Sequence, residues 1–287
     1  KHYEYWMTAS SYLSYGGPLR IVRADDDDLK NAFAGTASDI KIKSTEHYND
    51  LGYDGSTITG VTVVARNPGS WGNGLKVAII DDLADQVLTF SSLPANIAVG
   101  YGITQNVPAN TVLAGSGTTS LLTGFFKGIV TEVDSANNKV SVKVLEQVNS
   151  AGVSTEVSYQ PNGLYKFGNT AVAIHTTGVG AAYTTGNVPT GNVDWFDSQT
   201  IQLTNSTINW NNIADRPGTS SFAEARNSRF DEVHVVVIDD LGEVTGNAGT
   251  ILEKHLSLSK AKDGEYSLGS PSYWRKYTYN NSSNIFA

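Results

Sequence analysis

The chain contains no cysteine, a single methionine and eight prolines in 287 residues. Without cysteine there is no disulfide, no thiolate metal ligand and no thiol nucleophile. Long apolar runs are missing too, since no stretch reaches the roughly 18 residues that a membrane-spanning helix needs. The first residues lack the basic-then-apolar pattern of a secretory signal. Charge is sparse at 17%, and basic side chains are the scarcer kind, with 20 Lys and Arg against 28 Asp and Glu. The net charge of -8 repels phosphate backbones and argues against general nucleic-acid binding. No unit repeats at a fixed period.

What is present points to a β-rich chain. Apolar residues make up 40%, enough to bury a core rather than remain disordered. With 28 Gly and 14 Tyr, and abundant Thr, Val, Ser and Asn, the mixture suits strands joined by many turns. One amphipathic helix is expected near the start, where Tyr5, Trp6, Ala9, Tyr12 and Leu13 recur at spacings of three and four. Gly16-Gly17-Pro18 stops it. Residues 19–24 read as a short strand, and Asp25-Asp26-Asp27-Asp28 as a solvated turn, because four consecutive carboxylates lack the alternation and the turn glycine of a calcium loop.

Further along, weak strands are expected around 39–43 and within 83–93. Residues 125–134 and 139–147 alternate around Ser135-Ala136-Asn137-Asn138, a hairpin signal. Residues 153–159, 171–175 and 200–203 are strand candidates. Val233, Val235, Val236, Val237 and Ile238 form a nearly continuous apolar run suited to a strand buried on both faces, and 251–258 reads as a weaker strand after it.

The most informative stretch joins two apolar, β-branched runs through Asn67-Pro68-Gly69-Ser70-Trp71-Gly72-Asn73-Gly74. It reads as strand, compact loop, strand. Pro68 fixes φ, and Gly69, Gly72 and Gly74 can supply positive φ, so the chain can close over Trp71. On this reading Trp71 plugs its own loop, and Trp71→Ala unfolds the whole middle domain built around it without abolishing any chemistry. The stretch has no nucleophile-and-base pair and no metal-ligand spacing. Asn67, Pro68, Gly69, Trp71, Gly72 and Asn73 are therefore taken as a structural motif, with no catalytic, cofactor-binding or metal residue expected anywhere in the chain.

Other residue patterns invite a chemical reading. His47, His175, His234 and His255 are scattered, and no His-x-His or His-x-x-x-His spacing exists. Asp194-Trp195-Phe196-Asp197 sets two carboxylates beside aromatics, as sugar sites do, but glycoside hydrolysis needs a set separation across the sugar. A loop with buried aromatics is the favoured reading. Tyr273-Trp274-Arg275-Lys276-Tyr277 interleaves bases and rings as single-strand binders do; with a negative chain, a subunit-contact patch fits better.

Three segments, in order, resemble the contractile tail sheath proteins of T4-like phages, those of cyanophages among them. The first is Tyr12-Leu13-Ser14-Tyr15-Gly16-Gly17-Pro18-Leu19-Arg20-Ile21-Val22-Arg23-Ala24, a helix, a glycine break and a strand. The second, 65–81, carries an Asn-Pro-Gly-x-Trp-Gly-Asn motif. The third runs from Phe230-Asp231-Glu232-Val233-His234 through Gly249-Thr250-Ile251-Leu252-Glu253 to Ser283-Asn284-Ile285-Phe286. Together they cover roughly a third to two-fifths of the chain.

The resemblance implies a β-rich α+β fold. A mixed-sheet sheath middle domain would be built from 60–93 and 226–287, preceded by a helix-strand piece and linker over 1–59. A large β-rich inserted outer domain would span 94–225. It also implies a structural subunit, not an enzyme, with no cofactor. Its partners would be other sheath subunits, in helically stacked hexameric rings, and the tail tube protein, with no nucleic acid and no membrane. Contraction of the sheath would drive the tube through the host envelope. The place of action is the virion tail and the place of synthesis the host bacterial cytoplasm, with which the lack of cysteine agrees. The family's N-terminal arm and C-terminal domain have no counterpart here, and the chain starts and stops abruptly; it is expected to be a fragment and monomeric. The runner-up is a carbohydrate-binding or carbohydrate-cleaving β-rich surface protein, motivated by the Thr/Gly/Asn-rich middle and by Asp194 and Asp197. A secreted adhesin-like domain comes third.

Overall fold

The structure is a computed structural model that describes residues 3–20, 28–53, 59–106, 124–149, 151–161, 165–176 and 183–287. Helix α1 (Tyr3–Leu13) is followed by strand β1 (Phe33–Gly35), helix α2 (Thr45–Asp50) and strand β2 (Val61–Ala65). A 3-10 turn (Ser70–Gly74) leads into β3 (Leu75–Ile80), and β4 (Gln86–Thr89) and β5 (Gly102–Asn106) come next. The long hairpin of β6 (Gly124–Asp134) and β7 (Lys139–Asn149) precedes β8 (Ser154–Glu156), β9 (Val172–His175), β10 (Tyr183–Asn187) and β11 (Gly191–Asp194). Strands β12 (Thr200–Gln202) and β13 (Thr207–Asn209) and a second 3-10 turn (Trp210–Asn212) lead to helix α3 (Ser221–Glu224). The chain finishes with β14 (Glu232–Asp239), β15 (Thr250–Ser259), β16 (Glu265–Ser267), β17 (Ser270–Pro271), helix α4 (Trp274–Asn281) and β18 (Ile285–Phe286).

These strands form an eight-stranded sheet, ordered β10-β9-β5-β6-β7-β4-β11 with β8 added on β7, and two three-stranded sheets, β1-β2-β18 and β15-β14-β3. The ribbons β12-β13 and β16-β17 complete the set. Every pairing between named strands is antiparallel. The fold is therefore β-rich α+β, as expected, but the sheets built from 60–93 and 226–287 are antiparallel rather than mixed, because their strands follow one another through turns and returning segments instead of parallel crossovers.

Strand β14 is the spine of one half. Val233, Val235 and Val237 join Val63, Leu258 and Ile285 in an apolar cluster on one face, while Val236 and Ile238 join Ile80, Trp195, Phe196 and Ile213 on the other. Burial on both faces explains the unbroken apolar run. The second half is built on the β6-β7 hairpin, whose Phe126, Val130, Val140 and Val142 pack with Leu88, Ile103, Phe167 and Ile174. Its turn is set by Asp134 Oδ1, which accepts from the backbone N–H groups of Ala136 and Asn137, and by Asn138 at φ +54°. The eight-stranded sheet takes in β4, upstream of residue 94, whereas much of 195–213 packs beneath β14.

Helix α1 ends with Gly16 at φ +78°, the left-handed conformation expected of that glycine. Residues 39–43 form no strand. The buried amide of Asn31 holds them instead, donating to Ile42 O and Ala65 O and accepting from Ile42 N–H. Helix α2 is unanticipated; it is capped by Ser44, whose hydroxyl accepts from His47 N–H at 3.2 Å. The aromatic-basic stretch 273–277 opens helix α4, where Trp274 and Tyr277 pack against the β14 cluster and Arg275 lies over Trp274 at 4.3 Å. The expected strand at 19–24 and the Asp25–Asp28 run lie, apart from Leu19, Arg20 and Asp28, outside the described residues.

Candidate functional site

The 67–74 loop is a corner between the two small sheets. It leaves β2 of one sheet and enters β3 of the other, so two strands adjacent in sequence never pair. Asn67 and Asn73 are exposed and Pro68 is buried. Gly69 sits at φ +133° and donates its N–H to Lys30 O at 3.0 Å, a conformation few other residues adopt. Gly72 is a tight point with no flexible neighbour to give way, because a Cβ there would stand 2.9 Å from the Cβ atoms of both Ala32 and Ala65. Trp71 is partly buried and belongs to none of the four apolar clusters. The weight expected of its ring falls on the absent side chain of Gly72. An apolar cleft of about 250 Å³ runs beside the corner, lined by Phe33, Val63, Leu75 and Val77 among others. No lining side chain ionises, so the cleft offers no acid, base or nucleophile.

Arg66, the residue just before the motif, ties the corner to the end of the chain. Its guanidinium donates to Ile285 O at 3.2 Å, to Tyr279 O and to Thr45 Oγ1 at 3.3 Å, and it stacks 4.2 Å from the centre of the Phe286 ring. That fork needs a planar cation with several donors. Nearby, Glu253 of β15 gathers the loop after α4. It accepts from Ser282 Oγ at 2.6 Å, Ser283 N–H at 2.7 Å, Asn284 Nδ2 at 2.7 Å and His255 Nε2 at 2.9 Å. Burial alone would raise the Glu253 carboxyl, but these donors outweigh it and hold the group down at about 2. Neither residue stands out in the sequence, since the Arg66 partners lie 21, 213 and 219 positions away and the polar loop on Glu253 lies 29 to 31 away.

A second concentration of charge lies where the eight-stranded sheet meets the β14 half. Asp82 and Asp85, between β3 and β4, Asp194 at the end of β11, Lys143 of β7 and Arg216 converge there. Asp82 contacts Lys143 at 2.8 Å and Arg216 at 3.0 Å; Arg216 reaches Asp194 at 2.6 Å and Asp85 at 3.6 Å. Asp194 Oδ1 is thus held in an ion pair, while its Oδ2 is buried without a hydrogen-bond partner. Its neighbours Trp195 and Phe196 are buried at 4% exposure each, in T-shaped contact with Trp210. The loop is of the aromatic-burying kind that its composition favours, and a cleft of about 190 Å³ beside it is lined by Asp194, Phe196, Asp197, Asn211 and Arg216 among others. Asp197 is exposed, and its carboxylate accepts from Asn211 Nδ2 at 3.4 Å.

The histidines stay apart. His234 accepts from Ser257 N–H and sits 2.9 Å from Asp215 O, while His175 meets Thr104 Oγ1 at 2.8 Å. Among the described residues no group of three or more His, Asp or Glu is arranged to hold a metal ion. No described helix is long and apolar enough to cross a membrane. Comparison with protein-family models, with curated proteins and with solved structures found no match to the chain.

Proposed function

We propose that the chain is a structural subunit of a contractile viral tail sheath, packing with copies of itself around a tail tube and acting in the virion without a cofactor. One observation carries the reading. Two of the three sheath-like segments, far apart in sequence, fold into one unit. The 65–81 motif supplies the corner and β3, and the 230–286 segment supplies β14, β15 and β18, which flank the corner on both sides. Residues from both meet in a single cluster, with Leu75 and Val77 against Val235, Val237, Leu258 and Ile285. A motif of this kind holds shape rather than performing chemistry, and its neighbouring cleft is wholly apolar or amide-lined.

The carbohydrate reading has less behind it, because Trp195 and Phe196 pack into the interior and Asp194 pairs with Arg216, though Asp194, Phe196 and Asp197 border one shallow cleft. Immunogold electron microscopy of the particles encoded alongside this chain tests the proposal. Label along the whole outer layer of a contractile tail is the expected result. Label confined to fibres, to the baseplate or to the host surface would remove it. Glycan-array binding abolished by Asp194→Asn and Asp197→Asn would restore the runner-up.

A further inference from the structure

Lys143 occupies an unusual place for a cation, inside β7 between Val142 and Val144, with its side chain 11% exposed. Burying an ammonium there is costly unless a countercharge meets it. Its partner is Asp82, on the segment that joins β3 to β4, with a side chain 2% exposed. Lys143 Nζ stands 2.8 Å from Asp82 Oδ2 and also donates to Asp82 O at 2.9 Å. The nitrogen is thus held twice against one residue, and the carboxyl carbon lies a single covalent bond beyond the oxygen it touches. The Phe230 ring covers the ammonium at 3.9 Å. Its backbone sits at φ +58° to do so, a left-handed conformation that is costly for a bulky residue.

The joint between the eight-stranded sheet and the β14 half supplies the other groups that a condensation needs. Arg216 Nη1 donates to Asp82 Oδ1 at 3.0 Å, the oxygen on which negative charge gathers if Nζ attacks the carbon. Asp194 Oδ1 fixes the same guanidinium from another nitrogen at 2.6 Å. Asp85 lies alongside both reactants. Its Oδ2 accepts from the N–H of Val144, next to Lys143, at 2.7 Å, and its Oδ1 is 3.6 Å from the Arg216 nitrogen that holds Asp82. Burial is the largest influence on Asp85 and, with Asp82 adding to it, raises the carboxyl to about 6 against the pull of Val144, Lys143 and Arg216. Below the ordinary carboxylate range the proton on Asp85 contributes its full stability, and that benefit is lost as pH passes through about 6. Near neutrality the group can therefore take up a proton and return it.

We infer that Lys143 and Asp82 condense into an intramolecular amide, an isopeptide cross-link that the fold makes from its own side chains. The nitrogen attacks Asp82 Cγ, the Nζ–Cγ bond forms, and the Cγ–Oδ2 bond breaks. Of the three ammonium protons, two leave with Oδ2 as water and one stays on the amide nitrogen. Asp85 carries protons from the nitrogen to the departing oxygen, while Arg216 holds Oδ1. The balance closes within the chain. Shelter from water protects the product from hydrolysis, and a neutral amide removes the cost of keeping two charges buried. The bond spans 61 positions and joins β7 covalently to the stretch leaving β3. It depends on this local geometry alone and not on what the chain assembles into.

Intact mass spectrometry of the folded chain is the direct test. The expected mass is one water below that of the sequence, and a digest should yield a branched peptide linking the Lys143 and Asp82 segments. Lys143→Arg and Asp82→Ala should each restore the full mass. Following the mass after cell-free translation gives the rate. Asp85→Asn should slow it by about a hundredfold or more while the Val144 amide stays protected in hydrogen exchange. Arg216→Met, which removes the donor on Oδ1, should slow it by about the same factor. Full mass in the folded, unaltered chain overturns the cross-link whether or not the variants fold. So does a water loss that maps to one linear peptide, the mark of an aspartyl imide. A folded Asp85→Asn chain that closes the bond at the unaltered rate overturns the proton route.

Discussion

Glu253, partly buried, and Asp85, buried, are both carboxylates that tie separate parts of the chain together, yet their surroundings push them in opposite directions. At the corner, Glu253 meets four donors within 2.9 Å, and Arg66 is close by, so its charge is matched where it stands. At the joint, Asp85 shares one distant guanidinium with two other carboxylates. The lesson concerns the count of donors rather than depth. A buried carboxylate stabilises its site when enough hydrogen bonds reach it, and becomes a titrating weak point when they do not.

Four substitutions challenge that contrast. The largest effect is expected from Arg216→Met, which leaves three carboxyls facing Lys143 alone; chemical denaturation at pH 7 should show a loss of about 3 kcal/mol or more. Part of that loss should return at pH 5, and a loss independent of pH would erase the distinction between the regions. Glu253→Gln comes next, at about 2 kcal/mol, because an amide cannot accept from four donors. In the unaltered chain the Glu253 contribution is present above its ordinary 4.5 and lost as pH falls toward about 2, opposite in sense to the Asp85 contribution. An acid limb in thermal unfolding that is unchanged by Glu253→Gln would contradict this.

The two smaller effects concern the corner. Gly72→Ala places a methyl 2.9 Å from two other methyl carbons, and the strain should cost about 1–2 kcal/mol in equilibrium unfolding. Trp71→Ala should leave the chain folded and cost about 1 kcal/mol, since the ring stands outside the apolar clusters. A Trp71→Ala variant more damaged than Gly72→Ala would reinstate the ring as the plug of the loop.

Much of the fold is legible in the sequence where one physical demand acts alone. The unbroken run in β14 follows from burial on two faces, and the β6-β7 hairpin follows from alternation around a polar turn. Legibility fails where a distant side chain decides local structure. Residues 39–43 look like a strand until Asn31 takes their hydrogen bonds, and α4 hides because aromatic and basic residues carry its packing face. The joint is harder still. Asp82 and Lys143 are 61 positions apart and Asp82 and Arg216 134, so no spacing betrays them. The faint signal is Lys143 lying between Val142 and Val144, a charge amid valines that needs a partner.

Helix α1 has a consequence of its own. It is 11 residues long, and Trp6, Met7, Tyr12 and Leu13 are each 47–62% exposed. A helix that short is marginal in water unless something packs on it. Its order therefore depends on cover, and Trp6 supplies an optical gauge of that cover. Trp195 is enclosed already, whereas Trp6 at 62% exposure has the most to gain, so a blue shift in indole emission would report when this helix is sheltered.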